Sequence, residues 1–152
     1  MRAPATLVLA HHGTAGAARA ETLALELAVP GQTAIVHALV VPDFWDGMQG
    51  DDWLNNASTR DAFARHLETQ LEVEAAQQVA ALAGRLAERG IACRALVRIG
   101  DPAERLVAIA RECAADLVVV GPPRARGEAG YRSRMDLDTL ARGLPCPFFV
   151  AR

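Results

Sequence analysis

The 152-residue sequence contains no lysine, and all 16 of its basic residues are arginine. That absence excludes a P-loop, whose lysine reaches the phosphates of a nucleotide, and excludes Schiff-base chemistry on this chain. Cysteine is sparse. Cys93, Cys113 and Cys146 are an odd number, widely spaced among apolar residues, so they read as small core residues in a reducing compartment rather than as a disulfide or metal framework. No apolar run reaches the length that spans a bilayer, and MRAPATLVLAHHG at the N-terminus lacks a convincing cleavage site. A cytoplasmic chain with no membrane partner is expected. The formal charge of −2 and pI near 6.1 supply no clustered positive face, which argues against nucleic acid as a partner.

What remains is an ordinary globular composition, 51% hydrophobic and 22% charged, with room for a single domain over residues 1–152. Thr6 to His11 reads as a buried strand, followed by GTAG and an alanine-rich helix that ends near Ala28 at the Val29-Pro30-Gly31 breaker. TAIVHALVV is a second apolar strand. After the loop PDFWDGMQGDDWLNN comes a long helix on which Phe63, Leu67, Leu71, Ala75, Val79, Leu82 and Leu86 recur three or four apart, until Gly90 stops it. The strand IACRALVRI runs into GDPAERLVAIARECAAD, where Asp101 is a cap, Pro102 suits the first helical position and Glu104 has capping-box spacing. Then follow LVVVG, a helix from about Ser133 to Arg142 closed by Gly143 and Pro145, and the last strand PFFVA.

Strands that alternate with helices and are apolar on both faces predict an α/β domain with a mainly parallel sheet covered on both sides. Ligands of such sheets bind at the carboxyl ends of the strands, near the switch in strand order. The candidate site is therefore the turn from His11 to Thr14, the end of strand two from Val40 to Asp43, with Val41 in it, and the turn from Gly121 onward.

The order of elements, together with GDPAERLVAIARECAADLVVVG and the ending LPCPFFV, resembles the universal stress protein family over Thr6 to Val150. The resemblance implies a five-stranded Rossmann-like domain of the adenine nucleotide alpha hydrolase-like type and a homodimer formed through the last strand, residues 147–151. An independent reason for pairing there is that a short apolar strand at the chain end invites association. Nucleotide-binding members carry Gly-x2-Gly-x9-Gly-Ser/Thr after strand four and an aspartate at the end of strand one. Glycines permit close backbone approach to phosphates, and a hydroxyl at a helix start donates another hydrogen bond.

Counted from Gly121, the second glycine falls on Arg124, the third on Arg134 and the hydroxyl on Met135. Counting back from Cys146 in the Pro-Cys-Pro ending also places the third glycine at Arg134. His12 stands where the aspartate belongs, whereas Gly13 and Thr14 keep the turn. Both halves of the expected nucleotide site depart together.

Arg124, Arg126, Arg132 and Arg134 read as a solvated loop or as an anion site, since guanidinium forks match phosphate and carboxylate groups. Arg134 is the strongest anion candidate, because a helix start beside the pocket offers free backbone amides as well. Neighbours on a strand point to opposite faces, so only one of His11 and His12 enters a given pocket. A hydrogen-bonded histidine at a strand end is expected in preference to a metal site, for which His37 and Asp43 have no recognised spacing. Phe44, Trp45, Met48 and Trp53 in the 42–56 loop require cover, as a lid on the domain or dimer mate or as a wall over the pocket.

No nucleophile has a base beside it: Ser58 and Ser133 suit helix caps, and Cys113 is placed on the core side of a helix. The sequence therefore predicts a homodimeric binding or regulatory module, not an enzyme, with an altered site at His12, Gly13, Thr14, Val41, Gly121, Arg124 and Arg134. Its ligand is an anionic or nucleotide small molecule, or none. The alternative is an ATP site, with slow hydrolysis, built from Arg134 and backbone amides in place of glycines. A third reading makes His12 a catalytic group.

Overall fold

The computed structural model describes residues 2–11, 15–41, 57–122 and 135–152, with the side chains of 57–68 and 71 left aside. His12, Gly13, Thr14, Arg124, Arg134 and the aromatic loop lie outside the described residues. Five strands, β1 (Thr6–Ala10), β2 (Ala34–Val41), β3 (Ala92–Ile99), β4 (Leu117–Val120) and β5 (Phe148–Val150), form one sheet in the order β3-β2-β1-β4-β5. Every pairing is parallel. The helices are α1 (Ala15–Leu27), α2 (Ala57–Glu88), α3 (Pro102–Glu112) and α4 (Leu137–Gly143).

Side chains alternate along each strand, so the sheet has two apolar faces and needs two layers of helix. Leu7, Leu9 and Ile35 pack against Ala20 and Ala24 of α1 and Leu82 and Leu86 of α2. Val8, Val36, Ala38 and Val40 pack on the other face against Ala103, Leu106, Ile109 and Ala110 of α3 and Leu140 of α4. Most of these side chains are fully buried, and each large one contributes roughly 1.5–3 kcal/mol.

The apolar-on-both-faces expectation holds for the inner strands and not for β3. That strand forms one edge of the sheet, is half exposed along its length, and leaves Val97 and Ile99 open to solvent. The cysteines lie at the margin of the core, half-buried, packed against its clusters and free of disulfides. Cys113 forms the C-cap of α3, and its Sγ accepts from Arg94 Nη2 at 3.2 Å.

Local signals fix the helix ends. Asp101 has extended backbone and its Oδ1 accepts from Glu104 N at 2.9 Å, with Pro102 in the first turn. The main chain takes positive φ at Gly31 and Gly90, after α1 and α2, where glycine alone is unstrained.

The last helix starts later than its spacing predicts. Asp136, not Ser133, is its N-cap, with Oδ1 accepting from Asp138 N at 3.0 Å and Thr139 N at 3.4 Å. Gly143 lies inside the helix, not beyond it. A side chain there would meet Val107 Cγ2 at 3.1 Å, so this glycine serves the close approach of α4 to α3.

Candidate functional site

The chain passes from β1 to β2 and β3 on one side of the sheet, and β4 lies on the other side of β1. The carboxyl ends of β1 and β4 therefore flank the switch in strand order, where open parallel sheets bind ligands. His11 follows β1 and Gly121 follows β4, so the parallel pairing of these strands sets the two residues at the same end of the sheet.

Gly121 is packed by protein. A Cβ there would fall 2.4 Å from Gly16 O and 3.1 Å from Ala17 N, and Pro122 Cδ lies 3.3 Å from the corresponding position on Gly16. The turn after β4 presses on the first turn of α1, and close backbone approach within the protein is what this glycine permits. Val41 is buried at the end of β2, where it packs with Leu39 and Ala75, and its carbonyl accepts from Gly100 N at 2.9 Å. Its side chain belongs to the α2 face of the sheet.

The start of α4 departs from its expected chemistry. Free amides were expected to meet an anion there, but the Asp136 carboxylate already accepts from two of them and from Thr139 Oγ1 at 3.1 Å. These bonds, from the Thr139 hydroxyl and amide foremost, hold the Asp136 carboxyl below its ordinary range. A negative charge thus occupies the helix end that favours anions.

His11 meets the expectation of a hydrogen-bonded histidine at a strand end. Its Nε2 lies 2.8 Å from Glu21 Oε2 on α1, and both groups are buried. Arg85 on α2 grips the same carboxylate in a fork, with Nε 2.5 Å from Oε1 and Nη2 2.8 Å from Oε2. Burial pushes the Glu21 carboxyl up, but Arg85 and His11 outweigh it and hold the group below its ordinary range. The Arg85 guanidinium is in turn held higher by its bonds to the Glu21 carboxylate.

Beneath them His37 Nε2 donates to the carbonyl of His11 at 2.9 Å. The two rings meet edge to face with centroids 5.9 Å apart. Its Nδ1 has no partner among the described residues. Burial lowers the pKa of this imidazole, keeping the ring neutral.

Above this group lies a cleft of about 480 Å³ between α1 and α2, lined by His11, Ala18, Glu21, Thr22, Gln78, Ala81 and Arg85. Sequence reasoning singled out His11 and His37 but missed Glu21 and Arg85. The signal was present: Glu21 shares a helical face with Ala17, Ala20 and Ala24, all buried, and a carboxylate on such a face requires a cation.

Nothing in this group constitutes a nucleophile with its base. The Cys93 thiol is pushed up by burial, and the Cys146 thiol by burial and the Asp116 carboxylate, so neither is an activated thiolate. Among the described residues, no group of three or more His, Cys, Asp or Glu side chains is arranged to hold a metal ion. No helix among them is long and apolar enough to cross a membrane.

Among curated protein sequences, none matches this chain significantly. Solved structures do. A universal stress protein family protein from Burkholderia pseudomallei is 26% identical, with a TM-score of 0.59 over 96% of this chain and 94% of its own. The universal stress protein UspA from Lactobacillus plantarum is 18% identical, with a TM-score of 0.68 over 100% and 99%. A universal stress protein family protein from Arabidopsis thaliana with AMP bound is 16% identical, with a TM-score of 0.65 over 97% and 91%. The model of the universal stress protein family matches residues 5–152. With the five-stranded parallel sheet, its two helical layers and a family match that spans nearly the whole chain, this protein belongs to the universal stress protein family.

Proposed function

We propose that this protein is a homodimeric, non-catalytic binding or regulatory module of the stress response, whose pocket has lost the family's usual nucleotide contacts. The observation that carries this reading is the joint replacement of four residues. His12 stands in place of an aspartate, Arg124 and Arg134 in place of glycines, and Met135 in place of a hydroxyl. Gly121 at the end of β4 anchors the count.

Two features of the fold favour it. The amides at the start of α4 bond the Asp136 carboxylate, which would repel a phosphate. Gly121 has a use within the protein, against the backbone of α1, that needs no ligand. The scaffold around the pocket persists, so a different anionic ligand, held by the arginine forks of Arg124 and Arg134, is compatible with it.

The dimer reading rests on β5. Three half-buried apolar residues, Phe148, Phe149 and Val150, form the other edge of the sheet and leave one side of their backbone ladder without a strand among the described residues. An apolar edge of this kind pairs readily with a second copy. Light scattering on the eluting protein tests it, with a mass twice 16.2 kDa expected and a single-chain mass opposing it.

The alternative is an ATP-binding protein that uses Arg134 with backbone amides of Gly13 and Gly121. What favours it is that the Arabidopsis relative of the same fold holds AMP. Calorimetric titration with ATP, with and without magnesium, separates the two. Heats equal to dilution support the first reading, and saturable micromolar binding supports the second.

A further inference from the structure

Four ionisable side chains from four elements meet under the α1–α2 cleft, and the ligand reading above uses none of their contacts. His11 follows β1, His37 lies within β2, Glu21 on α1 and Arg85 on α2. We propose that they form an acid-released latch, in which protonation of the enclosed His37 parts the Arg85–Glu21–His11 bridge and opens the α1–α2 layer over the end of β1.

The geometry defines which nitrogen receives the proton. The His11 carbonyl only accepts, so His37 Nε2, 2.9 Å away, carries the hydrogen. Nδ1 is then a bare lone pair, and it has no donor among the described residues. Adding a proton there creates an N–H without an acceptor and a cation on a side chain that is 1% exposed. Both are costly in a buried site.

The surroundings do not compensate the new charge. From β1 the His11 ring faces it, and from α2 comes the Arg85 guanidinium, which opposes a second cation. Glu21 from α1 attracts it, but both carboxylate oxygens are already engaged by Arg85 and His11. On the flanking strands the register partners are Leu9 and Ala95, and Cys93 two residues before Ala95 is a neutral thiol.

Relief comes from water, and the cleft lined by His11, Glu21 and Arg85 provides its path. Arg85 is the outermost member, with about half its side chain exposed, so it is the one that leaves first. At neutral pH the same groups tie β1, β2, α1 and α2 at one point. The latch is independent of the nucleotide reading, because none of its members has to touch a ligand.

The sign follows from the neutral, enclosed ring. A histidine whose imidazole is depressed in the folded protein contributes stability that is complete above its ordinary value of 6.5 and is lost as pH falls below it. Glu21, held below 4.5, adds nothing to this window.

Thermal unfolding at pH 7.5 and 5.5 tests the latch in wild-type protein and in His37→Gln, which keeps a donor near the Nε2 position and does not titrate. The wild-type Tm is expected to fall by about 3 °C or more, and at least half of that fall should vanish in the variant. An equal fall in both overturns the proposal. Should the variant not fold, the imidazole nitrogen resonances of the wild type decide. His37 should be the Nε2–H tautomer at pH 7.5 and should acquire its second proton only as amides of β1 and β2 shift together. Protonation at ordinary pH with those amides unmoved would contradict the latch.

Discussion

The carbonyl oxygen of Gly16 lies 2.4 Å from where a Cβ on Gly121 would stand. These two glycines bring the end of β4 against the first turn of α1, on either side of the switch in strand order. The glycine from which the expected phosphate-binding spacing was counted is required by the protein's own backbone. Its presence alone is therefore not evidence of a nucleotide.

Replacing Gly121 with alanine should destabilise the fold whether or not any ligand binds. The obstructing atom is main-chain oxygen, so α1 itself must move, at a cost of about 1–3 kcal/mol. Urea unfolding should show the midpoint drop without a change in slope. A variant as stable as wild type would mean that α1 and β4 yield more easily than their packing indicates.

Arg85→Ala should be more harmful than the exposure of Arg85 suggests. The guanidinium is half exposed, which screens its own contribution, but its loss leaves the buried Glu21 carboxylate with His11 alone. Wild-type Glu21, held below its ordinary 4.5, contributes stability that is complete above that value and lost as pH falls through the lower folded one. Removing Arg85 should let the folded carboxyl return toward its ordinary value, so that this acid-dependent loss of stability shrinks. Melting curves from pH 3 to 6 check it, and an acid limb of undiminished size would show that His11 alone holds the carboxylate.

Asp101→Ala removes the side-chain acceptor for Glu104 N at the start of α3 and should cost about 1 kcal/mol. Asp101→Asn keeps an oxygen in place and should recover most of it. Calorimetric melting of both variants distinguishes the lost cap from a lost charge, for which the two would fall equally.

The framework was legible in the sequence because its signals are local. Continuous apolar runs marked the strands, Asp101 with Pro102 marked the start of α3, and Gly31 and Gly90 marked helix ends that the main chain terminates with positive φ. The start of α4 was misplaced because Ser133 and Asp136 have capping-box spacing, whereas the observed cap is Asp136 itself. The exposure of β3 had a signal that the strand reading passed over, since Arg94 and Arg98 recur within it, whereas β1, β2 and β4 contain no Arg, Asp or Glu. The Glu21–Arg85 pair joins residues 64 apart, and no spacing rule connects them until α1 and α2 lie on the same face. Of the expected site, the structure places Val41 and Gly121 at strand ends, and both are packed by the protein.

If the scaffold is kept and only the residues expected to touch phosphate differ, restoring those residues should restore nucleotide binding. A paired calorimetric titration with ATP and magnesium measures this. One arm is the wild-type protein, and the other carries His12→Asp, Arg124→Gly, Arg134→Gly and Met135→Ser together. No saturable heat is expected from the wild type, and saturable binding is expected of the restored protein. Micromolar binding by the wild type, weakened rather than strengthened by the four changes, would contradict it.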